Sequence, residues 1–470
     1  MSGDGASGAP PVRRSAPELL HGPLLPAILS IAWPVLALEA LHVGYHLINL
    51  FWVGRLGAAA TAALTTSIYA TWTMGSLAGG VAIGIVAQVA RAIGEKRLDR
   101  AGHAAAQGLL TALALGLVFL VLLRPFTGVL FRLLGMPPDV APLAALYLGM
   151  VFAGAPAFFL LVACESIWRA TGDTVTPLRV LGASTLLNAV LDPLLIFGPG
   201  PLPTLGIAGA AWATIIAWTV GVCLFLWLAR GAGDRFPLTR ASLARPDWTV
   251  IARTLRIGLP RFLIGTLFST VYLVLANLAA RFGTATIAVL GIVNRLESMD
   301  YITADAVGTA TSTLVGQNLG AAQPERASRA AHTAARLGIA VSLLPTVAMI
   351  FVPRLLLRPF TADPAVLELG MPYLRVIGLC QAFTVLELVY AGGFAGAGDT
   401  LPPMLVELPI AVARVPLAWF AAVTLGLGPI GIAWVLSLTA IIRGIAIWLW
   451  FRTGRWQRLR LWDESPAPPR

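Results

Sequence analysis

Charged residues are scarce in this chain. Of its 470 residues, 12% are charged and 57% are hydrophobic, and the mean hydropathy is +0.81. A soluble protein of this length carries about a quarter charged residues. Apolar runs of about 20 residues, the length that crosses a bilayer as a helix, recur from end to end. The composition therefore excludes a soluble globular protein and predicts an all-α polytopic membrane protein.

Cysteine and the short motifs of soluble enzymes are also scarce. The three cysteines, Cys164, Cys223 and Cys380, lie in or beside apolar segments, where cysteine is typical as a small core residue and disulfides are not expected. The chain has no GxxxxGK[ST] phosphate-binding loop, no HExxH motif and no nucleophile elbow. We therefore expect neither an enzyme nor a cofactor. If a membrane protein of this kind moves solutes, the lack of a nucleotide-binding site means that the energy would come from an ion gradient.

The basic residues indicate orientation. The formal net charge is +11, but the arginines lie mainly in short loops, which argues against nucleic acid as a partner. With the N-terminus inside, roughly three times as many arginines lie on the cytoplasmic side, as the positive-inside rule requires. This predicts a multi-pass protein of the bacterial inner membrane, with both termini cytoplasmic. The Gly/Pro/Ala-rich tail at residues 1–23 is expected to be disordered, and it lacks the pattern of a signal peptide.

Twelve spans are predicted in two lobes of six. The N-terminal lobe covers residues 24–229 and the C-terminal lobe residues 258–452, with a polar, Arg-rich cytoplasmic linker at 230–257 and a cytoplasmic tail at 453–470. The predicted spans are 24–54, 59–90, 102–123, 140–170, 175–198, 205–229, 258–281, 285–316, 328–352, 365–395, 401–425 and 429–451. Because six is an even number, the two lobes share one orientation, as in transporters with parallel repeats.

A constant offset relates the two lobes. Pro34 matches Pro260, the Gly172-Asp173-Thr174 run matches Gly398-Asp399-Thr400, and Pro177 matches Pro403; each pair is separated by 226 positions (260 − 34, 399 − 173, 403 − 177). The same offset is not expected by chance at several separate places along the chain, so the sequence predicts that the two lobes are copies of one unit.

A carboxyl group in the fifth span is the clearest candidate for ion coupling. Asn188 lies one helical turn before Asp192 and therefore on the same helix face. Pro193 removes a backbone donor, which leaves carbonyl groups free to bind an ion or water. Because desolvation favours the neutral form of a carboxyl group, Asp192 is expected to exchange a proton or a sodium ion. The alternative is that Asp192 only caps a kink at Pro193.

The first span carries a polar stripe. Glu39, His42, His46 and Asn49 follow at spacings of 3, 4 and 3, which place them on one face of a helix. Such a stripe at bilayer depth favours a proton or substrate site. Hydrogen bonding between helices is a second interpretation. A third is a metal site, since Glu39-x-x-His42 and His42-x-x-x-His46 have ligand spacings, which would make the chain a membrane metalloprotein.

The second lobe has ionisable residues of its own. Tyr301 and four acidic or basic residues are the predicted lining of a substrate cavity shared with His42: they are Glu297, Asp300, Tyr301, Glu387 and Arg414. Arg414 stands at the repeat position of Asn188 (414 − 226 = 188). Its alternative role is a structural ion pair with Glu407 or Glu387.

Several runs of sequence resemble the multidrug and toxic compound extrusion (MATE) family along nearly the whole chain. They include FWVGRLGAAATAAL, GVAIGIVAQ, WRATGDTVTPL, NAVLDPLLIFG and GIAGAAWAT in the first lobe, and VGQNLGAA, FAGAGDT and GPIGIAW in the second. The resemblance implies two six-helix bundles around a central cleft, alternating access and cation-driven export of amphipathic, often cationic compounds.

The same resemblance extends to individual residues. The Asn188/Asp192 pair looks like the cation site of the branch that includes the archaeal and DinF-like members, with Thr214 beside it. One departure is Asn49, which stands where the family commonly has an aspartate. The loss of a carboxylate weakens a dedicated sodium site, and His46 lies one turn away, so proton coupling assisted by His46 is favoured over sodium coupling.

These observations predict a monomeric antiporter that exports small amphipathic or cationic molecules across the lipid bilayer, coupled to protons or to sodium. The rival within the same superfamily is a lipid or lipid-linked-sugar flippase. A flippase would need a strongly basic central cavity for pyrophosphate, whereas the predicted spans hold more acids than arginines.

Overall fold

The structure is a computed structural model that describes residues 16–199, 203–231 and 240–462. The described residues are helical and contain no β-strand. The helices are α1 (Ala16–His21), α2 (Leu24–Gly54), α3 (Ala58–Gly94), α4 (Leu98–Val118), α5 (Thr127–Leu133), α6 (Ala141–Ala153), α7 (Ala155–Ala170), α8 (Val175–Phe197), α9 (Ile207–Gly231), α10 (Arg240–Ala244), α11 (Trp248–Ala280), α12 (Thr284–Gly320), α13 (Pro324–Phe351), α14 (Pro353–Leu357), α15 (Pro364–Gly378), α16 (Gln381–Ala397), α17 (Leu401–Trp419) and α18 (Gly428–Arg452).

Twelve spans can be assigned in this part of the chain, which confirms the predicted fold class. Nine helical stretches are long and apolar enough to cross a bilayer. The α6–α7 and α15–α16 pairs each form one more span, bent by 49° and 44°. The α6–α7 bend falls where Pro156 enters the first turn of α7, because proline cannot continue a helix from the preceding turn. α12 is not among these apolar stretches, but it has the 37-residue length of α3 and begins 226 positions after it (284 − 58), so the repeat makes it the twelfth span.

The first helix of the N-terminal lobe belongs to two cores. Ala27, Ile28 and Ile31, near the start of α2, pack in one apolar cluster with residues of α12, α13 and α16 of the C-terminal lobe. Leu38 and Val53, further along α2, pack with residues of the N-terminal lobe. A displacement of α2 against its own lobe would therefore be felt at the contact between the lobes.

The two lobes meet along α3, α11 and α12. Gly80 of α3 faces Gly258 of α11 so closely that a Cβ atom on Gly80 would lie 2.7 Å from the Gly258 carbonyl oxygen. Two turns further along α3, Gln88 Nε2 donates to Thr254 Oγ1 over 2.8 Å. Near the end of α3, Gly94 touches the backbone of Gln317. Glycines at these positions let the helix backbones approach, as is common between membrane helices.

This contact is concentrated at one end of the molecule. Residues 84–94 of α3 and residues 310–319 of α12 are all buried, whereas the first half of α3 is largely half-buried or exposed. Tyr69 and Trp72, in that first half, are each 54% exposed. The lobes are thus closed together at the end that carries the loop after α3, around Glu95–Arg97. We call this end the closed end.

The linker between the lobes is held by α4. Gln107 Nε2 donates to the carbonyl groups of Ser242 and Arg245 (2.8 and 3.1 Å), and its Oε1 accepts from the backbone N–H of Asp247 (2.9 Å). Asp247 then caps α11 by accepting from the N–H groups of Thr249 and Val250. The cap is a good helix-initiating contact, which explains why α11 begins at residue 248 and not at the predicted 258.

One prediction about the N-terminal tail was wrong in part. Residues 16–21 of the predicted disordered segment 1–23 form α1, and residues 1–15 lie outside the described residues. Leu19 is fully buried against Gly172 and the core shared by the lobes. Arg326 donates to the carbonyl groups of Leu19 and Gly22. The Gly/Pro/Ala-rich composition indicated disorder for this segment, whereas the apolar pair Leu19-Leu20 indicates that its end is buried.

Candidate functional site

Asp192 lies in a buried polar cluster inside the N-terminal lobe. Its side chain is completely inaccessible to solvent, and Asn188 and Thr214 are each 1% exposed. Asp192 and Asn188 come from adjacent turns of α8, and Thr214 comes from the facing helix α9. The prediction that Asn188 and Asp192 share one helix face is confirmed, and Thr214, placed there by the resemblance, is a member of the cluster.

Asn188 bridges the other two residues. One orientation of its amide satisfies both ends of the group. In that orientation Nδ2 donates to Asp192 Oδ2 (3.3 Å) and Oδ1 accepts from the backbone N–H of Thr214 (3.2 Å). Assigning the amide by its hydrogen bonds is the usual criterion for asparagine. Asn188 therefore fixes the carboxyl group of Asp192 relative to α9.

Tyr45 of the first span also contacts this cluster, and the sequence analysis did not predict it. Tyr45 Oη lies 2.7 Å from Thr214 Oγ1, in hydrogen-bond contact. Asn49, one turn later on α2, is 4% exposed, and its Oδ1 has no hydrogen-bond partner among the described residues. The signal for Tyr45 was its spacing of four from Asn49, which puts the two side chains on one helix face.

The predicted polar stripe of α2 is divided. Asn49 faces the cluster, but His46 is exposed and contacts the ring of Tyr45 edge-on, at 5.3 Å between ring centres. In the described part of the chain, His46 makes no hydrogen bond or ion pair with Asp192. Tyr45, and not His46, makes the hydrogen bond from α2 to Thr214, and the part of His46 in the protonation of Asp192 stays a prediction.

Glu39 and His42 form a pair of their own. His42 Nδ1 lies 3.7 Å from Glu39 Oε2, and the two side chains are 45% and 30% exposed, respectively. No group of three or more His, Cys, Asp or Glu side chains suited to a metal ion occurs among the residues that the structure describes. The pair thus has the geometry of a partly exposed ion pair within one helix, three residues apart on α2, and the metalloprotein interpretation gains no support.

Asp192 has no cationic partner among the residues that the structure describes. No arginine, lysine or histidine forms an ion pair with it in the described ranges, and Asn188, its hydrogen-bond partner, is neutral. An ionised carboxylate at bilayer depth is costly unless a positive charge compensates it. A proton on the carboxyl group, or a small metal ion bound to its oxygen atoms, would each remove this cost.

The C-terminal lobe holds its charges differently. Glu387 of α16 forms an ion pair with Arg443 of α18, at 3.0 Å between Oε1 and Nη1, with both residues buried. Arg414 of α17 is 3% exposed and donates from Nε to Thr439 Oγ1 over 2.7 Å. Among the described residues, the ion pair within 4 Å at Glu387 is made by Arg443 and not by Arg414. Sequence reasoning missed Arg443, although it is the one charged residue inside the apolar run of α18.

The other predicted cavity residues differ in their exposure. Asp300 is buried and accepts a hydrogen bond from Ser342 Oγ of α13 (2.8 Å), which turns it into the lobe. Tyr301, its neighbour on α12, is 39% exposed. Glu297 is half-buried, and Glu407 of α17 is buried. Asp300, Glu387 and Arg414 are thus internal to the C-terminal lobe, whereas His42, Glu297 and Tyr301 keep accessible surface.

Comparison with known proteins decides the family. The profile of the MatE family matches residues 34–194 and 260–420. The chain belongs to the MatE family. Both ends of the two matched segments are 226 residues apart (260 − 34 and 420 − 194), which confirms the internal repeat. The chain is a multi-pass membrane transporter, as are its MatE relatives.

Individual relatives cover nearly the whole chain. A probable multidrug resistance protein NorM of Thermotoga maritima is 27% identical over 92% of this chain and 93% of its own length. An FAD transporter of Shewanella oneidensis is 28% identical over 91% of this chain and 94% of its own length. A crystal structure of a MATE protein in a bent conformation superposes with a TM-score of 0.87 at 22% identity, covering 94% of this chain and 97% of the other.

Proposed function

We propose that this MatE protein is a cation-coupled antiporter that exports small amphipathic or cationic compounds by alternating access, with the proton as the coupling ion. The observation that supports this proposal most strongly is the environment of Asp192. Its carboxyl group is fully buried, is hydrogen-bonded to a neutral partner and has no cationic partner among the described residues. Its place is the bacterial inner membrane, with the closed end and both termini on the cytoplasmic side, and it acts as a monomer.

Protonation of Asp192 would act through α2. Once protonated, the carboxyl group becomes a hydrogen-bond donor as well as an acceptor, so the contacts among Asp192, Asn188 and Thr214 must rearrange. Tyr45 connects Thr214 to α2, and the start of α2 packs in the core of the C-terminal lobe. A change at Asp192 therefore biases the contact between the lobes, which is all that a two-state transporter separated by a few kcal/mol requires.

The proton is favoured over sodium because Asp192 is the one carboxylate of the cluster. A metal ion binds best to several oxygen ligands with negative charge among them. Here the remaining oxygens belong to the neutral side chains of Asn188, Thr214, Tyr45 and Asn49. A sodium ion held by these neutral oxygens is the second candidate.

Ethidium efflux from proteoliposomes tests the coupling ion. The purified protein is reconstituted, and either a pH gradient or a sodium gradient is imposed in separate runs. We expect transport with the pH gradient alone. Transport only with sodium would overturn proton coupling and assign the neutral oxygens to an ion site. Absence of efflux with either gradient would count against cationic drugs as substrates, and FAD, the substrate named for one relative, would be the next compound to load.

The flippase alternative finds less support. Among the described residues, the buried carboxylates Glu165, Asp192, Asp300, Glu387 and Glu407 outnumber the buried arginines Arg91, Arg414 and Arg443. A site for pyrophosphate would need the opposite balance. The names of the relatives, multidrug resistance protein and FAD transporter, refer to drugs and to FAD and not to lipids.

A further inference from the structure

The chain after α18 folds back against the closed end of the molecule. Residues Arg455–Arg458 form a 3-10 helix, and the described chain continues to Trp462. We call residues 455–462 the C-terminal strap. Its base is fixed to its own lobe: Trp456 is 1% exposed, stacks on Phe451 at 4.4 Å between ring centres and donates from Nε1 to the Phe451 carbonyl oxygen (2.8 Å).

The outer half of the C-terminal strap reaches the other lobe. Arg91 Nη2, on α3, donates to the carbonyl oxygen of Leu459 over 2.9 Å. The ring of Trp462 lies under the guanidinium groups of Arg100 on α4 (5.6 Å) and Arg253 on α11 (4.7 Å). Cation–π contacts of this kind stabilise the position of an aromatic ring at a protein surface.

Leu461 is the apolar centre of this contact. It is 6% exposed and forms one cluster with Ala87 of α3 and Ile257 of α11. Leu461 also covers Gly398, in the turn between α16 and α17, where an added Cβ would lie 2.6 Å from Leu461 Cδ2. Gly398 has a φ of +78°, a conformation that favours glycine, so the turn is shaped to receive the leucine side chain.

These contacts join the lobes where they are closed. Ala87, Arg91 and Arg100 belong to the N-terminal lobe, whereas the strap continues α18 of the C-terminal lobe. Opening the molecule at this end would separate α3 from α11 and would break the contacts of the strap with α3 and α4. We propose that the C-terminal strap is a latch that stabilises the state closed at this end and is released in each transport cycle.

The inference rests on the proposed alternating access, and a distance measurement separates the two. Spin labels are placed on cysteines replacing Asp99, whose side chain is 72% exposed, and Arg329, which is also exposed, after Cys164, Cys223 and Cys380 are replaced by Ala. The labels report the distance between the lobes at the closed end. If this distance never changes with pH or substrate, alternating access is wrong; if it does, the latch can be tested by itself.

Leu461→Ala and Leu459→Ala form a matched pair for that test. The Leu461 side chain is buried between the lobes, whereas Leu459 is 37% exposed and uses its carbonyl group for the bond to Arg91. Because truncating a buried leucine is costly only in the state that buries it, we expect Leu461→Ala to raise the ratio of open to closed molecules about tenfold, with Leu459→Ala unchanged. Equal ratios in the two variants, at equal thermal stability, would overturn the latch.

Cross-linking supplies the second test. A short bis-methanethiosulfonate reagent, which forms a disulfide with each of two cysteines at positions 100 and 462, ties the strap to the N-terminal lobe, and efflux should stop until these disulfides are reduced. The control joins positions 253 and 462, which ties the strap to its own lobe and should leave efflux intact. Full efflux by the protein linked between 100 and 462 would show that the strap need not be released.

Discussion

Replacing Tyr45 with Phe removes one hydroxyl group and keeps the ring, so it isolates the hydrogen bond between α2 and α9. The bond is short, at 2.7 Å between Tyr45 Oη and Thr214 Oγ1. Thr214→Val is the matched change on the other side, since valine has the shape of threonine without its hydroxyl group. The two variants together ask whether α2 senses the Asp192 cluster through this bond.

The magnitude follows from the burial of the pair. Hydrogen bonds between membrane helices contribute about 0.6 kcal/mol on average and up to about 1.7 kcal/mol, and a net value of about 1 kcal/mol is typical of proteins in general. Because Thr214 is 1% exposed, water cannot replace the lost tyrosine hydroxyl. We expect a loss of about 1 kcal/mol in Tyr45→Phe, which corresponds to roughly a fivefold change in an equilibrium between two states.

The assay is a double-mutant cycle on proton-driven efflux in proteoliposomes. If Tyr45 and Thr214 act through one bond, each single variant reduces efflux severalfold and the double variant is no worse than the more affected single one. Thermal unfolding of the same four proteins shows whether the loss is one of coupling or of folding.

Additive losses would refute this reasoning. They would mean that Tyr45 and Thr214 influence transport through separate contacts, and that the short distance has no part in the coupling. Unchanged efflux in Tyr45→Phe would have the same force, since no other hydrogen bond to α2 is made by Thr214 in the described structure.

Three further outcomes are expected. Arg443→Met should destabilise the protein by about 3–5 kcal/mol in thermal unfolding, since the Glu387 carboxylate loses its partner, and a second change, Glu387→Gln, should restore most of the loss. Gly94→Ala should favour molecules open at the closed end in spin-label distances, because its Cβ meets the facing backbone of α12; unchanged distances would contradict this. Asp247→Ala should cost about 1 kcal/mol of stability through loss of the α11 cap. Burial raises the pKa of Asp247, but the hydrogen bonds from His103, Val250 and Thr249 and the charge of His103 together outweigh burial and hold this pKa below its usual 3.8. The loss of stability in Asp247→Ala should therefore be seen above that pH and fade in more acidic solution, where Asp247 itself becomes protonated.

The architecture was accessible from sequence because its signals are periodic. Apolar runs gave the spans, and the offset of 226 positions gave the two lobes. The ends of α3 and α12 were less accessible, because these helices continue past the apolar runs to Gly94 and Gly320. There Gln88 and Gln317 are buried between the lobes, and contacts between distant segments leave no period in the sequence.

The site was predicted where its residues share one helix, and missed where they come from several. Asn188 and Asp192 follow from spacing alone. Tyr45 could not be distinguished from other aromatic residues of the spans, because its partner Thr214 lies on another helix, α9. Arg443 and Glu387 likewise lie on different helices, and nothing near Arg443 in the sequence predicts that they pair. Spacing along one helix favoured His46 and did not point to Tyr45, although a helix face about 100° wide contains both. In the structure Tyr45 makes the hydrogen bond to Thr214, and the part of His46 in protonation stays a prediction.

The measurement that tests the central claim most directly compares Asp192→Asn with Asp99→Asn in pH-driven ethidium efflux. Both variants exchange one carboxylate for an amide, but Asp192 is fully buried in the cluster and Asp99 has a side chain that is 72% exposed. We predict that Asp192→Asn folds, retains exchange of substrate down its own gradient and loses uphill efflux, while Asp99→Asn resembles the unaltered protein. Uphill efflux by Asp192→Asn at the unaltered rate would contradict the assignment of Asp192 as the coupling site.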